Sequence, residues 1–371
     1  MNLKYKLKIY DKYILQQVFY STFAAILLFT IVWIAPEMLL NTIKYTLEGE
    51  YTVKEAIFII VLELPKILGK AFPVGLLLGT LFTFDKLSKD SELTILRAIG
   101  LSFNRIIAPV VVFSLLITGL CFITYDKLIP YSEVKKFEIQ KYKPVIQYMY
   151  NQKDENKQPK LSVVVSSFYD GIMAHIIVLD FSRKIYDDLH GLSKIYAAKG
   201  GRTFPDHWEL YNVTTYKISQ DGIYVDISNE DKVDILQGED AMTAYTLMTN
   251  SVKKEREITN TELLKYVKLL KRESLGEEYS YMLNKYYQRF FHPFVCVLLA
   301  IMGCLLGFSK PREQRLIGFT VAIATIFAYY ITLPFFDLLA EKEILNPFLT
   351  AIMPLIAFYA AVVAIYKHKD L

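Results

Sequence analysis

Cysteine is scarce in this chain. There are three, Cys121, Cys296 and Cys304, and each sits inside an apolar run. They offer neither a disulfide framework nor a metal-ligand spacing, so the polar middle of the chain must be held by its own core. His175, His190 and His207 show no metal spacing either, and no metal site is expected. An excess of one charge is also lacking. The 42 Lys and Arg against 38 Asp and Glu leave +4 over 371 residues, which does not suggest a nucleic-acid binder. There is no G-x-x-x-x-G-K-[ST] and no glycine-rich strand-to-helix loop, so the chain has no ATP site of its own. No nucleophile–base constellation is present, so no catalytic residue is assigned.

What the chain does have is apolar length. Hydrophobic residues make up 53% of it and charged residues 22%, with a mean hydropathy of +0.27. That combination implies membrane spans plus a sizeable soluble part. The basic start, MNLKYKLKIYDKY, leads into an apolar run that is too long for a signal peptide and has no small-residue cleavage site, so it reads as a retained span. Six spans are expected: Val18–Leu40, Ala56–Phe84 (interrupted by Pro65 and Pro73), Ile106–Tyr125, Phe290–Phe308, Leu316–Leu338 and Pro347–Tyr366.

Between residues 130 and 255 the pattern changes. Short strand-like runs are separated by Asp170-Gly171 and Asp221-Gly222 turns, which predicts a sandwich, barrel or jelly roll. This region has 16 basic and 18 acidic residues and is no basic platform. Val163, Val165, Ile177, Leu179, Ile195 and Leu210 are candidate liners of its apolar interior, as core or as groove. Thr259–Arg272 reads as an amphipathic helix with capping-box spacing at Thr259 and Glu262. The expected organisation is therefore residues 1–129 (three spans), 130–255 (an inserted all-β domain) and 256–371 (the amphipathic helix and three spans). Thirteen Lys and Arg fall in one set of short loops and three in the other, which puts both termini in the cytoplasm and the β domain outside.

Asp85–Arg105 is a polar island between the second and third spans. Asp90 or Ser91 can cap a short helix at about 90–100, Glu92 suits its first turn, Arg97 its last, and Gly100 its C-terminal cap. Leu93, Leu96 and Gly100 line one side, Ile95 and Ile99 a neighbouring stripe, and Ser102 can cap the next helix. On these residues alone the helix is either a lever for something outside the membrane or a helix resting on lipid. A second cluster, Glu63, Lys66 and Lys70, shares one face of the second span towards its outer end, where charges need a partner, a polar cavity or a route to the headgroups.

Several motifs resemble the lipopolysaccharide-export permease family LptF/LptG (YjgP/YjgQ). They are Asp11-Lys12-Tyr13-Ile14, Pro65-Lys66, Phe72-Pro73, Ser91-Glu92-Leu93 with Arg97-Ala98 and Gly100, Ile195-Tyr196-Ala197 with Trp208-Glu209-Leu210, Glu262-Leu263, and Arg289 with Pro293. Their order and spacing carry the resemblance over nearly the whole chain. It implies a multi-pass inner-membrane subunit with a periplasmic β-jellyroll. That subunit pairs with a second LptF/LptG-type permease, as a hetero- or homodimer, and is driven by a dimer of LptB-like ATPases that hold ATP and Mg. It also implies transfer of lipopolysaccharide to an LptC/LptA-like periplasmic bridge. By resemblance the short helix is the coupling helix, with Ser91, Glu92, Leu93, Leu96, Arg97 and Gly100 as its ATPase-coupling residues. Leu93 and Leu96 are expected to fill an apolar groove of the ATPase. Lys66 falls at a position associated with substrate contact. Lys70 and Glu63 join it as candidates for binding phosphorylated sugars, Glu63 restraining the lysines, with Lys44 and Lys136 as rim charges beside Lys135. Glu37, the remaining lipid-binding candidate, departs from the family, which often has a basic residue nearby, and would repel phosphate unless it pairs with Lys66 or Lys70. A secondary transporter, or an ATPase-coupled signal transmitter with an external β sensor, would share much of this layout.

Overall fold

The computed structural model describes residues 9–34, 39–139, 148–153, 159–169, 171–186, 189–219, 223–252, 255–272, 276–308 and 316–369. Glu37, Asp170, the Asp221-Gly222 turn and the Lys310–Arg315 loop lie outside them. The chain forms two compact units. One comprises Met1–Ile139 and Glu255–Leu371, and the other Gln140–Lys254.

The first unit is helical: α1 (Ile9–Ile34), α2 (Leu40–Leu47), α3 (Val53–Lys89), α4 (Glu92–Ala98), α5 (Phe103–Ile123), α6 (Ile129–Ile139) and, after the insertion, the helices numbered from α8. Those are α8 (Asn260–Arg272), α9 (Gly276–Phe291), α10 (Val295–Gly307), α11 (Leu316–Glu341) and α12 (Pro347–His368). Five stretches among the described residues are long and apolar enough to cross a membrane: Ile9–Ile34, Phe103–Lys136, Gly276–Gly307, Gly318–Glu341 and Pro347–His368. The second expected span, α3, has 37 residues, more than any of these, and carries Glu55, Glu63, Lys66 and Lys70 in its first half. It runs straight through Pro65 and Pro73, which tightly packed membrane helices tolerate. Thr52 and Glu55 close a reciprocal capping box at its start.

The third span does not end at Tyr125. A single π-helical turn, Thr124–Leu128, carries α5 on into α6. The expected domain boundary at 129/130 is therefore corrected to Ile139/Gln140. Falling hydropathy marked the boundary too early, because a helix that leaves the apolar layer stays helical while it packs against α3. The fourth span likewise starts earlier than expected. A 3-10 turn at His292–Phe294, which contains Pro293, links α9 to α10. The capping box expected at Thr259 and Glu262 is formed, with the Thr259 amide donating to Glu262 Oε2 at 3.0 Å.

The centre of this unit is α3, gripped from two sides. Gly75 and Gly79 face Ile26 and Thr22 of α1, and Gly303 and Gly307 of α10 face Leu77, Thr80 and Leu81 of α3. Both glycine pairs have the four-residue spacing that lets membrane helices approach backbone to backbone. Around these contacts lies one apolar core, including Ile14, Val18, Leu76, Phe84, Ile106, Val110, Leu299 and Leu305. The outward face of α1 presents Phe19, Tyr20, Phe23, Leu28, Ile31 and Val32, as expected of a helix facing lipid.

The second unit is β-rich. Its strands are β1 (Tyr148–Lys153), β2 (Pro159–Tyr169), β3 (Ile172–Asp180), β4 (Arg183–Tyr186), β5 (Leu189–Gly191), β6 (Lys194–Thr203), β7 (His207–Ile218) and β8 (Tyr224–Gln237). Among the described residues they form one six-stranded antiparallel sheet, ordered β1-β2-β3-β6-β7-β8, and a β4-β5 ribbon. Among the described residues the inserted β domain is thus an antiparallel meander interrupted by one ribbon. It is not wholly β, because α7 (Glu239–Val252) lies against β1, β7 and β8 and buries Ala241, Ala244, Leu247 and Met248.

The six candidate liners do not share one face. Val163 and Val165 are opposite Val178 and Ile176, and all four are buried, as is Leu210. Ile177 is 47% exposed. It shares the other face with Leu179 and Ile195, which are half-buried. Period-two alternation shows that two faces exist, but not that both are apolar.

The glycine contacts give a direct test. A Cβ on Gly303 would lie 2.0 Å from Thr80 Oγ1 and 2.4 Å from the Leu77 carbonyl oxygen, whereas one on Gly119 meets nothing within 4 Å. Gly303→Ala is expected to cost about 1–3 kcal/mol and to lower the apparent Tm of the purified chain. Gly119→Ala is expected to leave Tm unchanged or slightly raised.

Candidate functional site

Two groups of side chains stand out, at opposite ends of α3. The first surrounds α4. Lys89 ends α3, and only Asp90 and Ser91 separate it from Glu92. So short a reversal puts Ser91 in the left-handed region (φ 61°), and its side chain makes no cap hydrogen bond. The expected side-chain cap at Asp90 or Ser91 is therefore absent. The C-terminal end forms as expected: Gly100 has φ +88° and donates to the Arg97 carbonyl at 2.9 Å. Ser102 caps α5 by accepting from the Arg105 amide.

Leu93 is 1% exposed and belongs to this chain's own core, and Leu96 packs partly buried beside it. That corrects the expectation that Leu93 fills a partner's groove. The stripe that faces outward is Ile95 and Ile99, 60% and 70% exposed. Glu92 accepts a 3.0 Å hydrogen bond from Tyr13 of α1. Arg97 stacks 5.6 Å over the Phe308 ring after α10. Glu92 and Ile95 help line a cleft of about 220 Å³ with Tyr10, Tyr13, Ile14, Leu87 and Leu96. Beneath it, Arg105 of α5 grips Asp11 of α1 in two parallel hydrogen bonds of 2.9 Å, with the Asp11 side chain fully buried. Arg105 also lies over the Tyr10 ring. The short helix is thereby fixed to α1 and α10 as well as to α3.

The second group lies near the Val53 end of α3. Glu63 and Lys66 of α3 meet Glu133 and Lys136 of α6. Lys136 is 2.5 Å from Glu63 and 2.6 Å from Glu133, while Lys66 is 3.3 Å from Glu63 and 3.6 Å from Glu133. Two cations and two anions close a ring in which three side chains are about 15% exposed and Lys66 is 28% exposed. Lys70, one turn further along α3, packs its ammonium 4.7 Å above the Trp33 ring of α1. No carboxylate among the described residues lies within ion-pair distance of it. Its carbonyl accepts from Tyr330 of α11.

The rim lysines behave differently from one another. Lys136 is built into the ring, whereas Lys135 pairs with Glu138 and Lys44 with Glu48, both exposed. Glu133 was not among the sequence-predicted site residues. Its signal was present as an i,i+3 pair with Lys136 on an apolar-backed helix, but residues 130–139 read as the start of the β domain.

A third polar group joins the helices that follow the insertion. Asp337 of α11 accepts from Asn284, Lys285 and Gln288 of α9 at 2.9, 2.5 and 2.7 Å, and Asn284 accepts from Thr350 of α12. One helical turn along α9, Arg289 donates to the carbonyls of Ile258 and Glu255 and to Asn260 Oδ1, holding residues 255–260 against the bundle.

The Asp11–Arg105 pair supports a stability prediction. Arg105→Gln removes the guanidinium that both Asp11 carboxylate oxygens bind and is expected to cost about 3 kcal/mol. Asp11→Asn combined with Arg105→Gln should restore a large part of that loss. A double-mutant cycle on thermal unfolding of the detergent-purified chain measures it.

Comparison with known families agrees with this architecture. No individually curated protein matches the chain. The model of the family described as "Lipopolysaccharide export system permease LptF/LptG" matches residues 12–368, from the second residue of the Asp11-Lys12-Tyr13-Ile14 motif to the end of α12. The chain, a multi-pass membrane protein with an inserted β domain, belongs to the LptF/LptG family of lipopolysaccharide-export permeases.

Proposed function

We propose that this chain is one permease subunit of an ATP-driven exporter of lipopolysaccharide or a related glycolipid. Its sequence holds no G-x-x-x-x-G-K-[ST] phosphate loop. Its role is to receive the stroke of a separate cytoplasmic ATPase dimer, which holds ATP and Mg, and to convert that stroke into movement of its spans. A second subunit of the same family completes the transmembrane pathway, and a periplasmic bridge protein receives the lipid. Both termini and α4 face the cytoplasm, and the β unit and the Glu63–Lys66 end of α3 face the periplasm. In this orientation α3 is the sixth span, with its charges at the level of the outer-leaflet headgroups, where lysines are tolerated.

The observation that carries this reading is the way α4 is mounted. Leu93 roots it in the core, Tyr13 and Phe308 brace it through Glu92 and Arg97, and Ile95 and Ile99 are left outward. A helix that only rested on lipid would not need three helices to brace it. A braced helix with a bare apolar stripe is suited to transmit force from a partner's groove. The bound lipid is read at the other end of α3. Lys66 is the most exposed member of the ring there and is the group best placed to meet an anionic sugar phosphate.

The test separates surface from core. Ile95→Asp with Ile99→Asp is expected to cut co-purification of the ATPase at least about ten-fold, equivalent to ~1.4 kcal/mol, without moving the apparent Tm. Leu93→Asp is expected to lower Tm, because it buries a charge in a packed core. Retention of the ATPase by the double variant would refute α4 as the coupling element.

A further inference from the structure

The ring at the Val53 end of α3 has a property that a simple phosphate-binding site would lack: it is already neutral. Glu63 and Glu133 balance Lys66 and Lys136 at distances of 2.5–3.6 Å. The balance is uneven. Lys136 contacts both carboxylates at 2.5 and 2.6 Å, whereas Lys66 makes only the two longer contacts and is twice as exposed as the others. Lys66 is thus the cation that can leave the ring, and Lys136 the one that holds the two acids together.

We propose that Glu133 is an internal competitor for the anionic ligand of Lys66, and that ligand binding loosens α6 from α3. The inference rests on the reading of Lys66 as a contact for a phosphorylated glycolipid, and it names the residue that sets the strength of that contact. A phosphate approaching Lys66 replaces the carboxylates of Glu63 and Glu133 as its counter-charge and is repelled by both. Glu63 sits on the same helix as Lys66, three residues away, so losing that contact moves nothing. Glu133 sits on α6, so losing that contact removes one of the ring's two cross-helix ion pairs, Lys66–Glu133, and leaves the other, Lys136–Glu63. In sequence, α6 ends at Ile139, and the residues of the β unit begin with the next one. Occupancy of the headgroup site is in this way coupled to the segment that leads into the β unit. The carboxylates also discriminate, because a weakly charged headgroup cannot displace them.

The experiment uses the full-length chain in nanodiscs of zwitterionic lipid and measures binding of bis-phosphorylated lipid A, dephosphorylated lipid A and inorganic phosphate. Wild type is expected to prefer the phosphorylated lipid, and Lys66→Gln to lose that preference. Glu133→Gln, which removes one repelling charge without changing size, is expected to tighten binding of the phosphorylated lipid roughly ten-fold and to leave the dephosphorylated lipid unchanged. Tightening for inorganic phosphate as well would show that the phosphate group itself is read. Tightening for the lipid alone would show that the acyl-anchored headgroup is read. Either result supports the competitor role. Hydrogen exchange of the wild-type amides in residues 129–139 provides a second readout independent of any variant, and phosphorylated lipid is expected to speed it. If wild type shows no phosphate preference, the headgroup reading fails and the competitor role fails with it. If wild type and Lys66→Gln behave as stated but Glu133→Gln binds no tighter, or exchange in α6 does not rise, the headgroup reading survives and the competitor role is overturned.

Discussion

Helices in a bilayer gain little from the hydrophobic effect when they meet, since lipid tails are as apolar as their side chains. Association has to come from close packing and from polar contacts. The fit of α3 between α1 and α10 is that packing. Glycines at 75 and 79 on one helix, and at 303 and 307 on another, bring backbones to distances at which a single added methyl group collides. The two transmembrane halves are separated in sequence by the whole β insertion, and α3 against α10 is the most extensive of the contacts that join them. The groups at both ends of α3 depend on this join, because it fixes where each end of the helix emerges.

The second constraint is the cost of charge near lipid. The bundle answers it by pairing. Asp11 meets Arg105, Glu63 and Glu133 meet Lys66 and Lys136, and Asp337 meets Lys285. The Asp11–Arg105 and Asp337–Lys285 pairs and the Lys136–Glu63 and Lys66–Glu133 bridges link different helices, so each also fixes an orientation between them. Their functional weights differ because their exposures differ. The Asp11 carboxylate is sealed and acts as a clamp, whereas Lys66 is partly open and held by longer contacts, which suits exchange with a ligand.

Much of this organisation was legible in the residues. Apolar run length marked five spans that the structure also shows, period-two patterning marked the strands, and Gly100 and Ser102 marked the end of one short helix and the start of the next. The family resemblance rested on motifs that the structure distributes over both units. What was not legible depended on tertiary choice. Two apolar stripes on α4 looked equivalent by spacing, and only docking on α3 decided that Leu93 turns in while Ile95 and Ile99 turn out. The partner of Asp11 lay 94 residues away. Glu133 was hidden by a hydropathy boundary, because polarity along α6 reports where lipid ends and not where the helix ends.

The proposed conversion of an ATPase stroke into lipid export is open to reconstitution. It is tested most directly by reconstituting the chain with its co-purifying partners in lipopolysaccharide-loaded proteoliposomes and measuring release of lipopolysaccharide to a soluble periplasmic acceptor. Release is expected to require ATP and to be lost with Ile95→Asp and Ile99→Asp together. ATP hydrolysis at full rate with the lipid retained in the vesicles would contradict it.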